Sequence, residues 1–165
     1  MVDDSMSGFL QAFTNSKENN IKLNFGLRIT ICENIENKSE SSLETNSKHI
    51  IFCRNRKGYD RLIKIYTLAA KEGFYYHPRI DFESLKNFWD EKDLLMCVPF
   101  YDSFIHNNFL KGKSSMPDYS YINPTFLIED NKIPFDYLIE NRVKNYTKDK
   151  YETAKVKSIF YASKK

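Results

Sequence analysis

The sequence predicts an α/β protein made of βα units with parallel strands. Short apolar runs of strand length, such as HIIFCRN, DLLMCVPF and TFLIED, alternate with segments whose apolar residues recur at helical spacing. The chain has 165 residues, the size of one ordinary domain, and its 13 Phe and 11 Tyr supply apolar surface for a core. We therefore expect one domain over residues 1–165.

The N-terminal part predicts a helix, a strand and a loop. Residues 6–18 carry apolar side chains at helical spacing, with Asp4 or Ser5 as the N-cap. Residues 21–31 alternate in hydropathy across a glycine, which predicts one long strand or two short strands around a bulge. Residues 33–48 are rich in Glu, Asn, Ser and Lys, so we expect a mobile surface loop there.

The middle of the chain predicts a second βα unit. HIIFCRN is almost continuously apolar, as expected for a strand covered on both faces. Apolar residues over 59–70 predict a helix, and Gly73 stands where a C′ glycine belongs. Asp81 is placed to cap a short helix over 82–88.

The C-terminal part continues the alternation. DLLMCVPF predicts a buried strand, DSFIHNNFL a helix and TFLIED a further strand. Pro134 fits the first turn of a helix that carries Phe135, Leu138 and Val143. The basic residues 147–165 are interpreted as a cut end that leads to a next domain.

Composition excludes several classes of function. A net charge of +3 does not by itself predict nucleic-acid binding, and 5 glycines argue against glycine-rich nucleotide loops. Cys32, Cys53 and Cys97 are odd in number and lie in apolar runs, which is typical of reduced core cysteines. Since neither a membrane-spanning run nor a signal peptide is evident, we expect a soluble cytoplasmic protein without a membrane partner.

Two long stretches resemble a known family. HIIFCRNRKGYDRLIKIYTLAAKEGFYYHPRID and DDSMSGFLQAFTNSKENNIKLNFGLRI are similar, in order and spacing, to the polymerase and histidinol phosphatase (PHP) domain of bacterial DNA polymerase III alpha subunits. The similarity covers residues 2–83. It implies a partial PHP-type βα barrel, which we expect to be truncated at its N-terminus. The Lys-, Asn- and Ile-rich composition would suit an AT-rich bacterium or a bacteriophage.

The resemblance also implies where metal ligands would lie, and most are missing. Active PHP domains bind divalent Mn, Zn or Mg with His, Asp, Glu and Cys side chains at strand ends. Here Asp3-Asp4-Ser5 stands for the family's Asp-His-Gly, and Arg28 replaces a strand glutamate. Only Asp3 and His49 keep a ligand-type residue, and two ligands cannot hold a metal cluster. We expect a vestigial site and no cofactor in this chain.

Each candidate residue also has a structural interpretation, which we favour. His49 fits a strand-end histidine with a local partner, and Asp3 or Asp4 fits a helix N-cap. Asp102 and His106 fit a surface pair at helical spacing. Cys97 fits a small buried apolar residue.

The stretch KEGFYYHPRID is interpreted as a structural signature and contact surface. Phe74 and Tyr75 are expected to plug the space between helix and barrel wall. His77 precedes a proline and is therefore expected to be extended. Arg79 and Asp81 are then displayed for each other or for a neighbouring polymerase part.

Three functions remain open from the sequence. The first is a non-catalytic PHP-like domain in DNA replication, with the rest of a DNA polymerase or other replication proteins as partners and DNA reached through the parent protein. The second is a metal-dependent phosphoesterase or proofreading nuclease. The third is a stand-alone module that docks a replication protein. Nucleotidyl transfer, the reaction of the parent polymerase, would require carboxylates on another domain.

Overall fold

The structure, a computed structural model, describes residues 2–158. Within this range seven strands join one sheet and six helices flank them. The strands are β1 (Val2–Asp3), β2 (Gly26–Ile31), β3 (Ser47–Cys53), β4 (Arg79–Ile80), β5 (Leu94–Val98), β6 (Thr125–Glu129) and β7 (Thr153–Val156). The helices are α1 (Phe9–Glu18), α2 (Glu40–Glu44), α3 (Arg56–Lys71), α4 (Phe82–Lys86), α5 (Phe104–Leu110) and α6 (Asp136–Thr147).

The sheet is mixed and mostly parallel, which confirms the predicted α/β class. Its strand order is β1-β2-β3-β5-β6-β7, and β4 pairs with β2. Only β3 runs antiparallel to its neighbours among these strands. The connection from β2 to β3, which contains the short helix α2, returns the chain alongside β2 instead of crossing over the sheet.

Strands β1 and β4 share one side of β2, because β3 occupies the other side. Val2 and Asp3 pair with the first half of β2, and Arg79 and Ile80 pair with Thr30 and Ile31 in its second half. These two short strands bring the N-terminus and the KEGFYYHPRID stretch to the same edge.

The main core lies on one face of the sheet. Leu27, Ile29 and Ile31 point to this face, and α3 adds three buried side chains to the same cluster. Phe104 of α5 and Phe126 of β6 continue it with ring centroids 6.4 Å apart. Burial of these apolar side chains is the main favourable contribution to the fold.

The predicted start of α1 is wrong. The N-cap is Gly8, with no side-chain capping bond, and neither Asp4 nor Ser5 caps the helix. The cause is β1: residues 2–3 pair with β2 first, and the chain enters the helix only afterwards.

The predicted strand over residues 21–31 is half as long as expected. Only Gly26–Ile31 is a strand, because the neighbouring β3 ends at Cys53 and Phe52 is already opposite Gly26. The glycine makes no bulge. A Cβ atom on it would lie 2.3 Å from the Phe52 ring, so a side chain at this position would require the ring to move.

The segment 33–48 was predicted to be a loop, but only part of it is one. It contains α2 and the first two residues of β3, and it buries Ile35 and Ser42. Its mobility stays a prediction.

The remaining predicted elements agree with the structure in kind. Asp81 caps α4 as expected, since its Oδ1 accepts from the Ser84 N–H at 2.7 Å. Pro134 precedes α6, whose N-cap is Phe135, so the predicted first-turn position is wrong. The basic C-terminal part contains the unpredicted β7, and residues 159–165 lie outside the described residues.

Gly73 follows the end of α3 at the predicted position, for a different reason. Its backbone is not left-handed. A Cβ atom there would lie 1.9 Å from the Arg79 carbonyl oxygen, so the glycine allows β4 to approach the end of α3.

No helix among residues 2–158 is both long and apolar enough to span a membrane.

Candidate functional site

Asp3 and Arg28, which stand at two of the family's metal-motif positions, lie on the sheet face opposite the main core. Asp3 pairs with Arg28 across β1 and β2, and Lys48 pairs with Thr30 across β2 and β3. Directly paired residues project from the same face of a sheet. Arg28 and Thr30 are two residues apart, so all four side chains share this face.

Three carboxylates and two cations meet there. We call Asp3, Asp4, Arg28, Lys48 and Asp102 the ionic cluster. Arg28 lies 2.7 Å from the Asp102 carboxylate and 3.6 Å from that of Asp3. The Lys48 ammonium lies 3.2 Å from Asp3 and also contacts Asp4.

The two cations are held more firmly than ordinary surface side chains. The side chains of Arg28 and Lys48 are only 19% and 21% exposed. Arg28 also donates to the Tyr101 carbonyl at 3.3 Å. Partial burial strengthens these ion pairs relative to fully exposed ones, because solvent screens them less.

His49 does not join this cluster. It pairs with Ile29, the residue after Arg28, so it projects from the opposite face of the sheet to Asp3. Its Nε2 lies 2.6 Å from the Tyr119 hydroxyl, and its side chain is fully buried. Burial lowers the pKa of His49 to about 3 and keeps the ring neutral. His49 is the third residue of β3, and its partner is not local as predicted but lies 70 residues away in the sequence.

The side chains present do not fit the family's metal cluster. Among the described residues, no group of three or more His, Cys, Asp or Glu is arranged to hold a metal ion. The carboxylates of Asp3, Asp4 and Asp102 already bind a guanidinium or an ammonium group. The predicted N-cap role of Asp3 and Asp4 is replaced by these ion pairs.

His77 lies near the cluster, whereas Arg79 and Asp81 do not form an exposed surface. Burial lowers the pKa of the partly buried His77, which Asp4 opposes and Lys48 reinforces. Arg79 is fully buried and Asp81 is 7% exposed, so the expectation that they are displayed is wrong. Asp81 accepts from the Ile35 N–H at 3.0 Å as well as capping α4.

The aromatic plug is also different from the prediction. Phe74 is 50% exposed and therefore fills no space in the core. The Arg79 guanidinium instead lies over the Tyr75 ring, 5.2 Å from its centroid. Tyr76, the residue after Tyr75, has a left-handed backbone with φ of 60°, and its side chain is exposed.

The other candidate groups have structural contacts. The Asp102 N–H donates to His106 Nδ1 at 3.2 Å, while the Asp102 carboxylate binds Arg28 instead of His106. Cys32, Cys53 and Cys97 are free, as predicted, and burial raises the pKa of each thiol to about 11. These thiols are poor nucleophiles at neutral pH.

Two participants were missed by sequence reasoning. Lys48 was assigned to the surface loop, and Tyr119 was not considered. A lysine one residue before His49, at the start of an apolar strand, could have indicated Lys48. No local pattern indicates Tyr119, which is 70 residues from His49.

The mixed α/β fold agrees with a family assignment. The family model for the PHP domain matches residues 2–122, and the chain belongs to this family. The match ends before β6, so β6, α6 and β7 lie beyond it.

The curated relatives are all named DNA polymerase III subunit alpha. The chain is 32% identical over 84 residues to the Chlamydia muridarum protein, which is 50% of this chain and 7% of that protein. It is 33% identical over 82 residues to the Helicobacter pylori protein, again 50% and 7%. It is 44% identical over 52 residues to the Aquifex aeolicus protein, 30% and 4%. The matched part is less than a tenth of each relative.

Proposed function

We propose that this chain is a structural, non-catalytic PHP domain of a DNA polymerase III alpha-like protein. One observation carries the proposal. Arg28 and Lys48 bind the carboxylates of the ionic cluster, and a metal ion would need these same carboxylates as ligands. In this reading the two side-chain cations replace the metal as the positive charge between the strands.

Electrostatics supports this assignment. A hard divalent ion needs several oxygen donors arranged in advance, and it would be repelled by a guanidinium and an ammonium group at the same place. Binding a metal would therefore require the cluster to release both cations. His49 offers no compensation, because it lies on the other face and interacts with Tyr119.

The replication context rests on the relatives named above. We infer that the partners are the rest of a DNA polymerase or other replication proteins, and that DNA is reached through the parent protein. A phosphoesterase or proofreading nuclease, and a stand-alone docking module, are the other outcomes of the tests below.

The enzymatic alternative is tested with phosphomonoesters and single-stranded DNA in the presence of Mn²⁺, Zn²⁺ or Mg²⁺. We expect no turnover above that of Asp3→Asn, and a metal content after dialysis well below one ion per chain. Asp60→Asn serves as a control for an exposed carboxylate outside the cluster. Metal-dependent turnover that Asp3→Asn abolishes and Asp60→Asn preserves would refute the proposal.

The docking alternative is tested by affinity purification of the tagged chain from cells that replicate DNA. The proposal is supported if the tagged polypeptide that is recovered itself contains the polymerase domains of the alpha subunit. Recovery of this chain as a separate polypeptide bound to a complete alpha subunit would favour the stand-alone module.

A further inference from the structure

An apolar groove lies on the surface between α1, residues 19–25 and the start of α3. Two hollows of about 380 and 330 Å³ share the side chains of Phe13, Leu23 and Phe25, so they form one continuous surface. We call it the α1 groove. Its apolar lining includes Phe9, Leu10, Phe13, Ile21, Leu23 and Phe25.

Large apolar side chains of this groove are exposed. Leu10 is 77% exposed, Ile21 66% and Phe13 41%. Single exposed apolar residues are common on protein surfaces, but several around one hollow are typical of an interaction site.

The charged side chains that line the groove are all positive. They are Lys17, Arg54 and Arg56, and no carboxylate belongs to either lining. Arg56 forms a 3.5 Å contact with Asp60 in which both side chains are largely exposed. Within the described part of the chain, no carboxylate lies within salt-bridge distance of Lys17 or Arg54.

We propose that the α1 groove binds a short acidic segment of a partner protein. Apolar side chains of the segment enter the two hollows, and its carboxylates pair with Lys17, Arg54 and Arg56. Apolar anchors supply affinity, while complementary charge supplies orientation and speeds association.

Single-stranded nucleic acid fits the groove less well, although it also combines negative charge with planar groups. Bases stack on open aromatic faces. Here Phe9 is buried and packs on Phe25 at 4.8 Å, and the Lys17 ammonium lies 4.4 Å from the centroid of the Phe13 ring. The most exposed apolar groups, Leu10 and Ile21, are aliphatic and suit protein side chains.

This inference does not depend on whether the domain hydrolyses phosphoesters. Its test is a selection of random peptides displayed on phage against the full chain. A selected peptide is then synthesised with a fluorescent label, and its Kd is measured by fluorescence anisotropy. We expect the selected peptides to combine Asp or Glu with Leu, Ile or Phe.

Two groove variants and one control locate the binding. Leu10→Ser combined with Ile21→Ser should weaken binding about tenfold or more, as expected for lost apolar anchors. Lys17→Glu should weaken binding most at low salt and least at high salt, because one attractive charge becomes repulsive and salt screens the difference. Leu110→Ser, which changes a 60% exposed leucine on α5, should leave the Kd unchanged.

Several results would overturn the proposal. These are selected peptides without acidic residues, or a Kd that neither groove variant changes. Tighter binding of oligothymidylate than of any peptide, lost in Lys17→Glu, would assign the groove to nucleic acid. A dimer of the full chain that Leu10→Ser dissociates would assign it to a second copy.

Discussion

Replacing the buried Arg79 should loosen the segment before β3 and destabilise the whole domain. The guanidinium donates to the carbonyls of Gly73 at 3.1 Å and Asn37 at 3.2 Å, and to the Ser42 hydroxyl at 3.2 Å. It therefore connects the end of α3 to residues 37–42. No carboxylate of the described residues lies within salt-bridge distance of the Arg79 guanidinium, so all three acceptors are neutral groups.

The magnitude follows from these three hydrogen bonds. A hydrogen bond to a charged group contributes about 1.5–3 kcal/mol, and the cost of burying the guanidinium offsets part of the sum. We expect Arg79→Met to lower the free energy of unfolding by about 3–4 kcal/mol, since it keeps apolar volume but removes the donor from the Gly73 and Asn37 carbonyls and the Ser42 hydroxyl. For a chain of this size the melting temperature should fall by roughly 6–14 °C.

Urea denaturation measures the global effect, and hydrogen exchange of residues 35–44 measures the local one. Exchange there should accelerate more than in β5, because the segment loses its anchor directly. Arg56→Met is the matched control: its side chain is 84% exposed, so the stability should change by less than about 0.5 kcal/mol. An Arg79→Met protein as stable as this control would refute the reasoning.

Three further predictions concern other positions. The pKa of His49 is about 3 in the fold against 6.5 in the unfolded chain, so the unfolded state takes up the proton first as the pH falls. As the pH falls from 6.5 towards 3, the free energy of unfolding should decline by up to about 1.4 kcal/mol per pH unit. His49→Phe should make this decline shallower, as measured by urea denaturation at a series of pH values. Gly73→Ala should lower the free energy of unfolding in urea by about 2–3 kcal/mol, because its Cβ atom would clash with the Arg79 carbonyl. Gly112→Ala, in open space with φ of 67°, should lower it by about 1 kcal/mol. Equal losses would contradict the close approach at Gly73. Arg28→Glu should make the melting temperature rise with added Mn²⁺, and an equal response of the wild-type chain would count against the role of Arg28 as a replacement for the metal.

The sequence predicted the long periodic elements because their patterns are local. The helix α3 carries buried residues at helical spacing, and the strands β3, β5 and β6 coincide with short apolar runs. Residues 21–25 alternate equally well. In the described part of the chain, however, the pairing with β3 begins at Gly26, so the alternating pattern alone does not form a strand. The direction of β3 was not predictable, since an apolar strand has the same hydropathy in either direction.

The candidate site was predictable only where a motif carried it. Asp3 and Arg28 were found through the family resemblance, whereas Asp102 lies 74 residues from Arg28 and no spacing rule joins them. The sequence pointed to Arg79, but the prediction that its side chain is exposed was wrong. An arginine near a turn is usually exposed. Here the Gly73 and Asn37 carbonyls and the Ser42 hydroxyl accept from the buried guanidinium.

The strand β7 has a consequence for how this protein behaves at high concentration. It pairs with β6 on one side, and among the described residues its other backbone edge has no partner strand. Such an edge is a template onto which another extended chain can add. Lys155 stands in the middle of the strand, and a charge at an edge opposes self-association of this kind. Lys155→Val would remove that protection, and assembly through strand addition would begin there.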